Sequence, residues 1–212
     1  MSIADELAQL IVTTSSGSSF PTFTAICGWA DTGKSTLAAQ LCHALHKRNI
    51  TADWISTDAF LKDRADRNRL GISGYNSRSL DADELAAAVK AIAAGQEYIY
   101  YPYDNRTGAK APNSKTISRQ SVVVIEGIHA LHEVIWDRCG LWAFIYSEDR
   151  TLMEIRARAN MTKRGMNGVD ARSFIENELA EFRNYILPNK AYANVILSVS
   201  LDYDYAIEAS YA

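Results

Sequence analysis

Short apolar runs alternate along the chain with segments whose apolar residues recur at helical spacing. The runs are rich in β-branched and aromatic residues, and turn-forming residues bound them. This pattern predicts buried strands. We expect a core sheet of five strands formed by TFTAIC (22–27), ADWIS (52–56), SVVVIE (121–126), LWAFIYS (141–147) and NVILSVS (194–200).

Helices are predicted between these strands. In the segment after the first strand, Leu37, Leu41 and Leu45 share one helical face,. Strands that alternate with helices indicate an open, mostly parallel α/β sheet, here in a single domain. The expected helices span residues 1–14, 34–48, 84–94, 152–164 and 170 to about 187. Residues 58–79 read as irregular or mobile, and 98–118 as extended, hairpin-like or loop structure.

The stretch GWADTGKST (28–36) joins the first strand to the first long helix. It contains Gly28-x-x-x-x-Gly33-Lys34-Ser35, a full Walker A pattern in the strand-to-helix context that the pattern requires,. The glycines let backbone N–H groups turn toward an anion, and the helix adds the positive end of its dipole. We therefore expect a three-layer α/β/α P-loop NTPase fold, with ATP and Mg²⁺ as cofactors. The expected nucleotide contacts come from Gly28, Asp31, Thr32, Gly33, Lys34, Ser35 and Thr36.

Two acidic residues follow neighbouring apolar strands. Glu126 closes the run SVVVIE, and Asp58 follows the strand ADWIS. The carboxyl ends of parallel strands lie beside the phosphate crevice, where a carboxylate can help Ser35 to hold Mg²⁺. Asp58 also suits the role of general base, because it would lie within reach of both the metal and an acceptor hydroxyl.

A basic helix and a tyrosine-rich segment supply further candidates. Arg156 and Arg164 are eight residues apart and fall on one helical face, so both can approach a transferring phosphoryl group as a lid closes,. Arg158 is a further candidate nucleotide contact. The segment YPYDNR (101–106) offers rings and a carboxylate for an acceptor pocket.

Composition narrows the choice of partners and compartment. The net charge is −3, so the chain lacks the basic field that nucleic-acid binding needs,. No apolar tract is long enough to span a membrane, and the amino-terminal segment lacks the pattern of a signal peptide. The three cysteines fit neither a disulfide framework nor a zinc site, which favours a reducing, cytoplasmic location,.

From about Thr22 to Ser198 the chain resembles the uridine kinase/phosphoribulokinase family of small-molecule P-loop kinases, which includes bacterial pantothenate kinase. The resemblance implies transfer of the ATP γ-phosphate to a small-molecule hydroxyl. It implies Asp58 as catalytic base, Glu126 as the residue that assists Mg²⁺, and Tyr103 and Asp104 at the acceptor. It rests on GWADTGKST, ISTDAF, YPYD, VVVIEGIHAL, RARANMTKRG and LPNKAYANVIL, taken in this order along the chain.

The sequence departs from the members that phosphorylate uridine. Ser77 and Arg78 stand where those members carry an aromatic residue and an aspartate. An arginine at position 78 suits an anionic acceptor better than uracil. In the lid, Arg156 and Arg164 align with the family pattern, whereas the middle arginine is displaced to Arg158.

We therefore expect one kinase domain over residues 1–212, with an acceptor-binding insertion at about 58–118 and a lid at about 151–169. Lys34, Asp58, Arg156 and Arg164 are the expected catalytic residues, and Arg78, Tyr103 and Asp104 the acceptor contacts. The expected partner is a small-molecule acceptor, and a homodimer is left open. The alternative is a nucleotide-binding regulatory ATPase or GTPase-type module. A GTPase would need N-K-x-D, whereas Asn189-Lys190 precedes Ala-Tyr.

Overall fold

The computed structural model describes residues 2–14, 21–166 and 168–211. Its α-helices are α1 (Ile3–Thr14), α2 (Lys34–His46), α3 (Arg64–Arg69), α4 (Ala82–Ala93), α5 (Asp149–Arg164) and α6 (Gly168–Tyr185). Its strands are β1 (Thr22–Gly28), β2 (Ala52–Ser56), β3 (Tyr98–Tyr100), β4 (Tyr103–Asp104), β5 (Ala109–Lys110), β6 (Lys115–Ile117), β7 (Val122–Glu126), β8 (Cys139–Ile145), β9 (Val195–Val199) and β10 (Tyr205–Ser210). Met1, residues 15–20 and residue 167 of the expected lid lie outside the described residues.

The main sheet has six strands in the order β10-β9-β8-β1-β7-β2. Five of them are parallel, which confirms the mostly parallel core predicted from the apolar runs. The sixth, β10, pairs antiparallel with β9 and was not predicted. Its residues are alternately half-buried and exposed, because it lies at the sheet edge, so it lacks the apolar run that marks the other strands,.

The core lies at the centre of this sheet. Every residue of β1 and β7 is buried, as expected for strands that are covered on both faces,. Helices α1 and α2 contribute apolar faces centred on Leu7, Leu37 and Leu41. The result is a flanked α/β sheet in which β1 and β7 present their carboxyl ends at a common edge.

Residues 58–79, which the sequence predicted to be irregular, contain short helical elements. Thr57–Phe60 and Ser77–Ser79 form single turns of 3₁₀-helix on either side of α3. Two antiparallel pairs, β3 with β6 and β4 with β5, confirm the hairpin-like character of residues 98–118. None of the helices in the described ranges is long and apolar enough to cross a bilayer.

Candidate active site

The loop between β1 and α2 is closed by bonds to a single carbonyl. Lys34 is buried, and its Nζ donates to the backbone oxygen of Trp29 at 2.5 Å. The Thr32 hydroxyl donates to the same oxygen at 2.8 Å, so the Thr32 side chain is used within the loop. Ser35 and Thr36 begin α2 with exposed side chains, and Gly28 ends β1. The loop thus buries Lys34 and the Thr32 hydroxyl and leaves the side chains of Ser35 and Thr36 exposed.

Trp29 fixes the loop from the other side. Its indole Nε1 donates to the Tyr75 hydroxyl at 2.7 Å, and its ring stacks on Phe182 of α6 with centroids 5.7 Å apart. Both Trp29 and Phe182 are fully buried. Trp29 therefore connects the loop to the segment around Tyr75 and to α6. The sequence motif did not reveal this role.

The carboxyl-terminal strand also reaches the loop. Tyr205 on β10 donates its hydroxyl to the Thr32 backbone oxygen at 2.8 Å. Gly33 has φ 83°, and a Cβ at this position would collide with the Tyr205 hydroxyl and approach Tyr203. Both tyrosines follow the last predicted strand, so sequence reasoning missed them.

Two carboxylates face the loop at the ends of β2 and β7. Ser56 pairs with Glu126 in the parallel ladder, which brings the two strand ends side by side. The Ser35 hydroxyl donates to Oε1 of Glu126 at 3.0 Å. Burial raises the pKa of Glu126, as does the charge of Asp58, while Lys34 acts in the opposite direction.

Asp58 lies two residues beyond β2 in a 3₁₀ turn. Its backbone N–H donates to the Ser56 hydroxyl at 3.3 Å, which fixes the turn. Burial raises the pKa of Asp58, opposed by Lys34, by a hydrogen bond with Asn105 and by the charge of Arg67. The two acids therefore share the field of Lys34, and each is a stronger proton acceptor than a free carboxylate.

These residues fit a magnesium ion. Mg²⁺ prefers oxygen ligands and is commonly bound through one or two carboxylates together with substrate phosphates. The Ser35 hydroxyl and Glu126 carboxylate are in contact, and Asp58 lies close enough for its charge to raise the pKa of Glu126. In the described ranges no group of three His, Cys, Asp or Glu residues is placed to hold a metal ion.

Helix α5, which the sequence predicted to be part of a lid, contacts the loop through Asp31. The Arg156 guanidinium is only 8% exposed; it donates to Oδ2 of Asp31 and, through Nε at 2.6 Å, to Glu178 of α6. Burial lowers the pKa of Arg156, but the hydrogen bonds and charge of Glu178 outweigh this and raise it. Arg156 is thus held between the loop and α6.

Two further cations from the end of α5 reach the same carboxylate. Lys163 Nζ lies 3.0 Å from Oδ1 of Asp31, and the Arg164 guanidinium lies 3.1 Å from Oδ2. Burial acts to raise the pKa of Asp31, but Arg156 and Arg164 hold it at about 2. Arg158 lies elsewhere, donating to the Leu201 backbone oxygen at 3.3 Å near the β9–β10 turn.

Arg67 and Tyr103 are in contact within the segment that the sequence predicted to bind the acceptor. Arg67 donates through NH2 to the Tyr103 hydroxyl at 2.7 Å and through Nε to the Lys62 backbone oxygen at 3.1 Å. Both partners are neutral, and the described residues include no carboxylate within ion-pair distance of this guanidinium. Arg67 is therefore a half-buried cation beside Asp58, and sequence reasoning did not select it.

The other predicted acceptor residues lie differently. Asp104 accepts the backbone N–H of Arg106 at 2.8 Å, and this bond lowers the pKa of Asp104 within its own turn. Arg78 is exposed, and its backbone oxygen accepts from Lys62. Asn105, next to Asp104, is the residue whose side chain bonds Asp58. The structure thus brings Asn105, rather than the Asp104 carboxylate, into contact with Asp58.

Known proteins share this architecture. A phosphoribulokinase from Synechocystis sp. is 26% identical over 82% of this chain, which spans only 52% of that protein. A uridine kinase from Chloroflexus aurantiacus is 27% identical over 84% of this chain and 87% of its own length. The structure of D-glycerate 3-kinase from Cryptococcus neoformans gives a TM-score of 0.75 at 12% identity and covers 99% of both chains.

The fold and the Walker A loop define a P-loop kinase-type protein, and the structural likeness to D-glycerate 3-kinase supports that fold alone. The model of the phosphoribulokinase / uridine kinase family matches residues 23–206. The chain belongs to this family. Its family and relatives support a phosphotransferase that uses a hydroxyl group of a small metabolite as acceptor.

Proposed function

We propose that this protein transfers the γ-phosphate of ATP to a hydroxyl group of a small, anionic metabolite. One observation carries the proposal: Lys34 and Ser35 of the Walker A loop face Glu126, and Asp58 lies beside them at the same sheet edge. A binding module needs the loop alone, whereas phosphoryl transfer also needs a base placed next to it.

The donor side binds and neutralises the triphosphate. Lys34 already lies within the loop, where its charge would offset that of the terminal phosphates,. Ser35 and Glu126, with Asp58 nearby, would hold Mg²⁺, which supplies charge neutralisation for the transferring group,. Arg156 and Arg164 lie over the loop from α5, so they can stabilise negative charge and exclude water,.

Asp58 performs the proton chemistry. It orients the acceptor hydroxyl and takes its proton as the acceptor oxygen bonds to the γ-phosphorus and the bond to the bridging oxygen breaks, releasing ADP. Its raised pKa makes it a better base near neutral pH, while the side-chain bond from Asn105 holds its orientation,.

Arg67 supports an anionic acceptor. A half-buried guanidinium with neutral partners gains from a bidentate bond to a carboxylate or phosphate. Its contact with Tyr103 and its charge effect on Asp58 support a role for Arg67 near the proposed base. The sequence alone suggested Arg78 for this role, but Arg78 is exposed and Arg67 fits the role better.

The proposal is tested by acceptor-dependent ADP release. Purified protein with ATP and Mg²⁺ is assayed with neutral nucleosides and sugars, and with pantothenate, glycerate and sugar phosphates. We expect turnover with one or more of the anionic compounds, and a loss of about 10²–10⁴-fold in Asp58→Asn, as removal of a general base causes.

The alternative module makes the opposite prediction. A regulatory ATPase or GTPase-type protein would hydrolyse nucleotide slowly and at the same rate with every acceptor, and Asp58→Asn would leave its nucleotide affinity and rate unchanged. Turnover that favours neutral nucleosides would retain the kinase but remove the anionic acceptor.

A further inference from the structure

The Walker A loop contains a carboxylate that the phosphate-binding role does not use. Asp31 lies between the two loop glycines with φ 60°, a left-handed conformation that is uncommon for a residue with a side chain,. Its carboxylate is 9% exposed and accepts bonds from Arg156, Lys163 and Arg164, all on α5. The loop thus presents a negative charge to the lid.

A carboxylate is a poor phosphate ligand, since both groups are acceptors with negative charge. Asp31 avoids that conflict because three cations compensate it. With Glu178, the cluster holds two carboxylates and three cations, so one net positive charge remains above the loop. This surplus charge is available to the transferring phosphoryl group.

The three cations are not equivalent. Arg156 is 8% exposed and also bound to Glu178, so it is fixed in place. Lys163 and Arg164 are 62% and 39% exposed, and in the described structure Asp31 is the acid that pairs with each of them. Arg164 also donates to the Asn160 side chain at 3.1 Å, which orients it from its own helix. Asp31 is thus the contact that joins the end of α5 to the loop.

We propose that Asp31 is a positioning residue that holds the lid cations Arg164 and Lys163 over the phosphate loop, and is not itself a nucleotide ligand. In this role the carboxylate organises the lid before the nucleotide arrives. Its removal would leave the cations free to scatter into solvent, so their charge would no longer be aligned with the transferring group.

The test compares Asp31→Asn with Asp149→Asn. The control removes the charge of Asp149, which lies at the start of α5 and pairs with Arg183, at the other end of the helix from Lys163 and Arg164. Hydrogen exchange of the amides of 156–164 is measured without nucleotide. We expect exchange to be about tenfold faster or more in Asp31→Asn, because charged hydrogen bonds to the lid are lost, and unchanged in the control.

Kinetics separate the positioning role from a binding role. The kinetic arm rests on the proposed function, whereas the exchange arm needs no turnover, so the two can fail independently. We expect a lower kcat for Asp31→Asn with an unchanged or lower KM for ATP, and partial recovery in Asp31→Glu. A higher KM for ATP with unchanged exchange would identify a nucleotide ligand and overturn the proposal.

A double variant keeps the proposal testable if Asp31→Asn does not fold. Lys163→Met combined with Arg164→Met removes the partners from the lid and leaves the loop intact. Faster exchange across 156–164 in this double variant then supports the proposal that Asp31 holds the two cations in place. Exchange equal to that of the wild-type protein overturns it.

Discussion

The donor half of the site, the loop 28–36 with the ends of β2 and β7, differs in character from the acceptor half, residues 61–110. In the donor half Lys34, Thr32 and Glu126 are buried. Lys34 and Thr32 both donate to the Trp29 backbone oxygen, and Glu126 accepts from Ser35. In the acceptor half Arg67 is half-buried with neutral partners, and Arg78 and Asn105 are exposed. The donor half is tightly packed, whereas the named side chains of the acceptor half are half-buried or exposed.

The difference reflects what each half recognises. A triphosphate is bound by backbone N–H groups, one lysine and one hydroxyl, which a single short motif can supply. We propose that a small acceptor is recognised by side chains from separate segments, here α3 and the β4–β5 hairpin. A change of acceptor can therefore leave the donor half intact.

The largest expected effect tests the constraint on the donor half. Gly33→Ala would place a Cβ against the Tyr205 hydroxyl at a left-handed φ, so we expect about 2–5 kcal/mol of lost stability from backbone strain and overpacking,. Gly71 in the acceptor half has a similar φ of 63° but nothing within 4 Å of such a Cβ, so Gly71→Ala should cost about 1–2 kcal/mol,. Urea unfolding of both variants measures the contrast. Equal losses would show that the two halves are equally tolerant.

The next effect concerns the two arginines of the acceptor half. Arg67→Met should raise the KM for the best anionic acceptor by about 10–100-fold, the range of a lost charge-assisted hydrogen bond, and leave the KM for ATP unchanged. Arg78→Met is the matched control and should change neither KM by more than about twofold, because its side chain is exposed,. Steady-state kinetics with both substrates varied decides between them, and a larger effect of Arg78→Met would restore the expectation drawn from the sequence.

The smallest expected effect concerns the loss of folding stability that burial of the charged Glu126 carboxylate causes. Burial raises the folded-state pKa of Glu126 above its value in the unfolded chain, so the charged form destabilises the fold at neutral pH,. Glu126→Gln, which still accepts from Ser35, should raise the unfolding temperature of the nucleotide-free protein at pH 7. The gain should shrink as pH falls through the folded pKa, because the wild-type carboxyl then becomes neutral as well. Thermal melts from pH 4 to pH 8 measure it; a gain that persists in acid would point to packing rather than charge.

Sequence reasoning located β1 and β7 because their apolar runs, rich in β-branched residues, are typical of fully buried strands, and β2 has the predicted bounds although it is only partly buried,. It missed β10, whose exposed edge position leaves no such run, and with it Tyr205. Among the site residues, Lys34, Ser35 and Glu126 follow from the motif and a strand end. Arg67 and Asn105 do not, because neither belongs to a motif or to a strand end. Their importance follows only from contacts with residues distant in the chain, Tyr103 and Asp58.

The amino-acid sequence by itself determined the phosphate loop, the parallel core and the acids at its edge, because the spacing of glycines, lysine and apolar residues acts through local backbone geometry. Only the tertiary structure shows that Asp31 pairs with three cations of α5, and that the charge of Arg67 acts on Asp58 while Arg78 is exposed. Charge pairing depends on distances between segments far apart in the chain, and these are set by how the helices and hairpins pack.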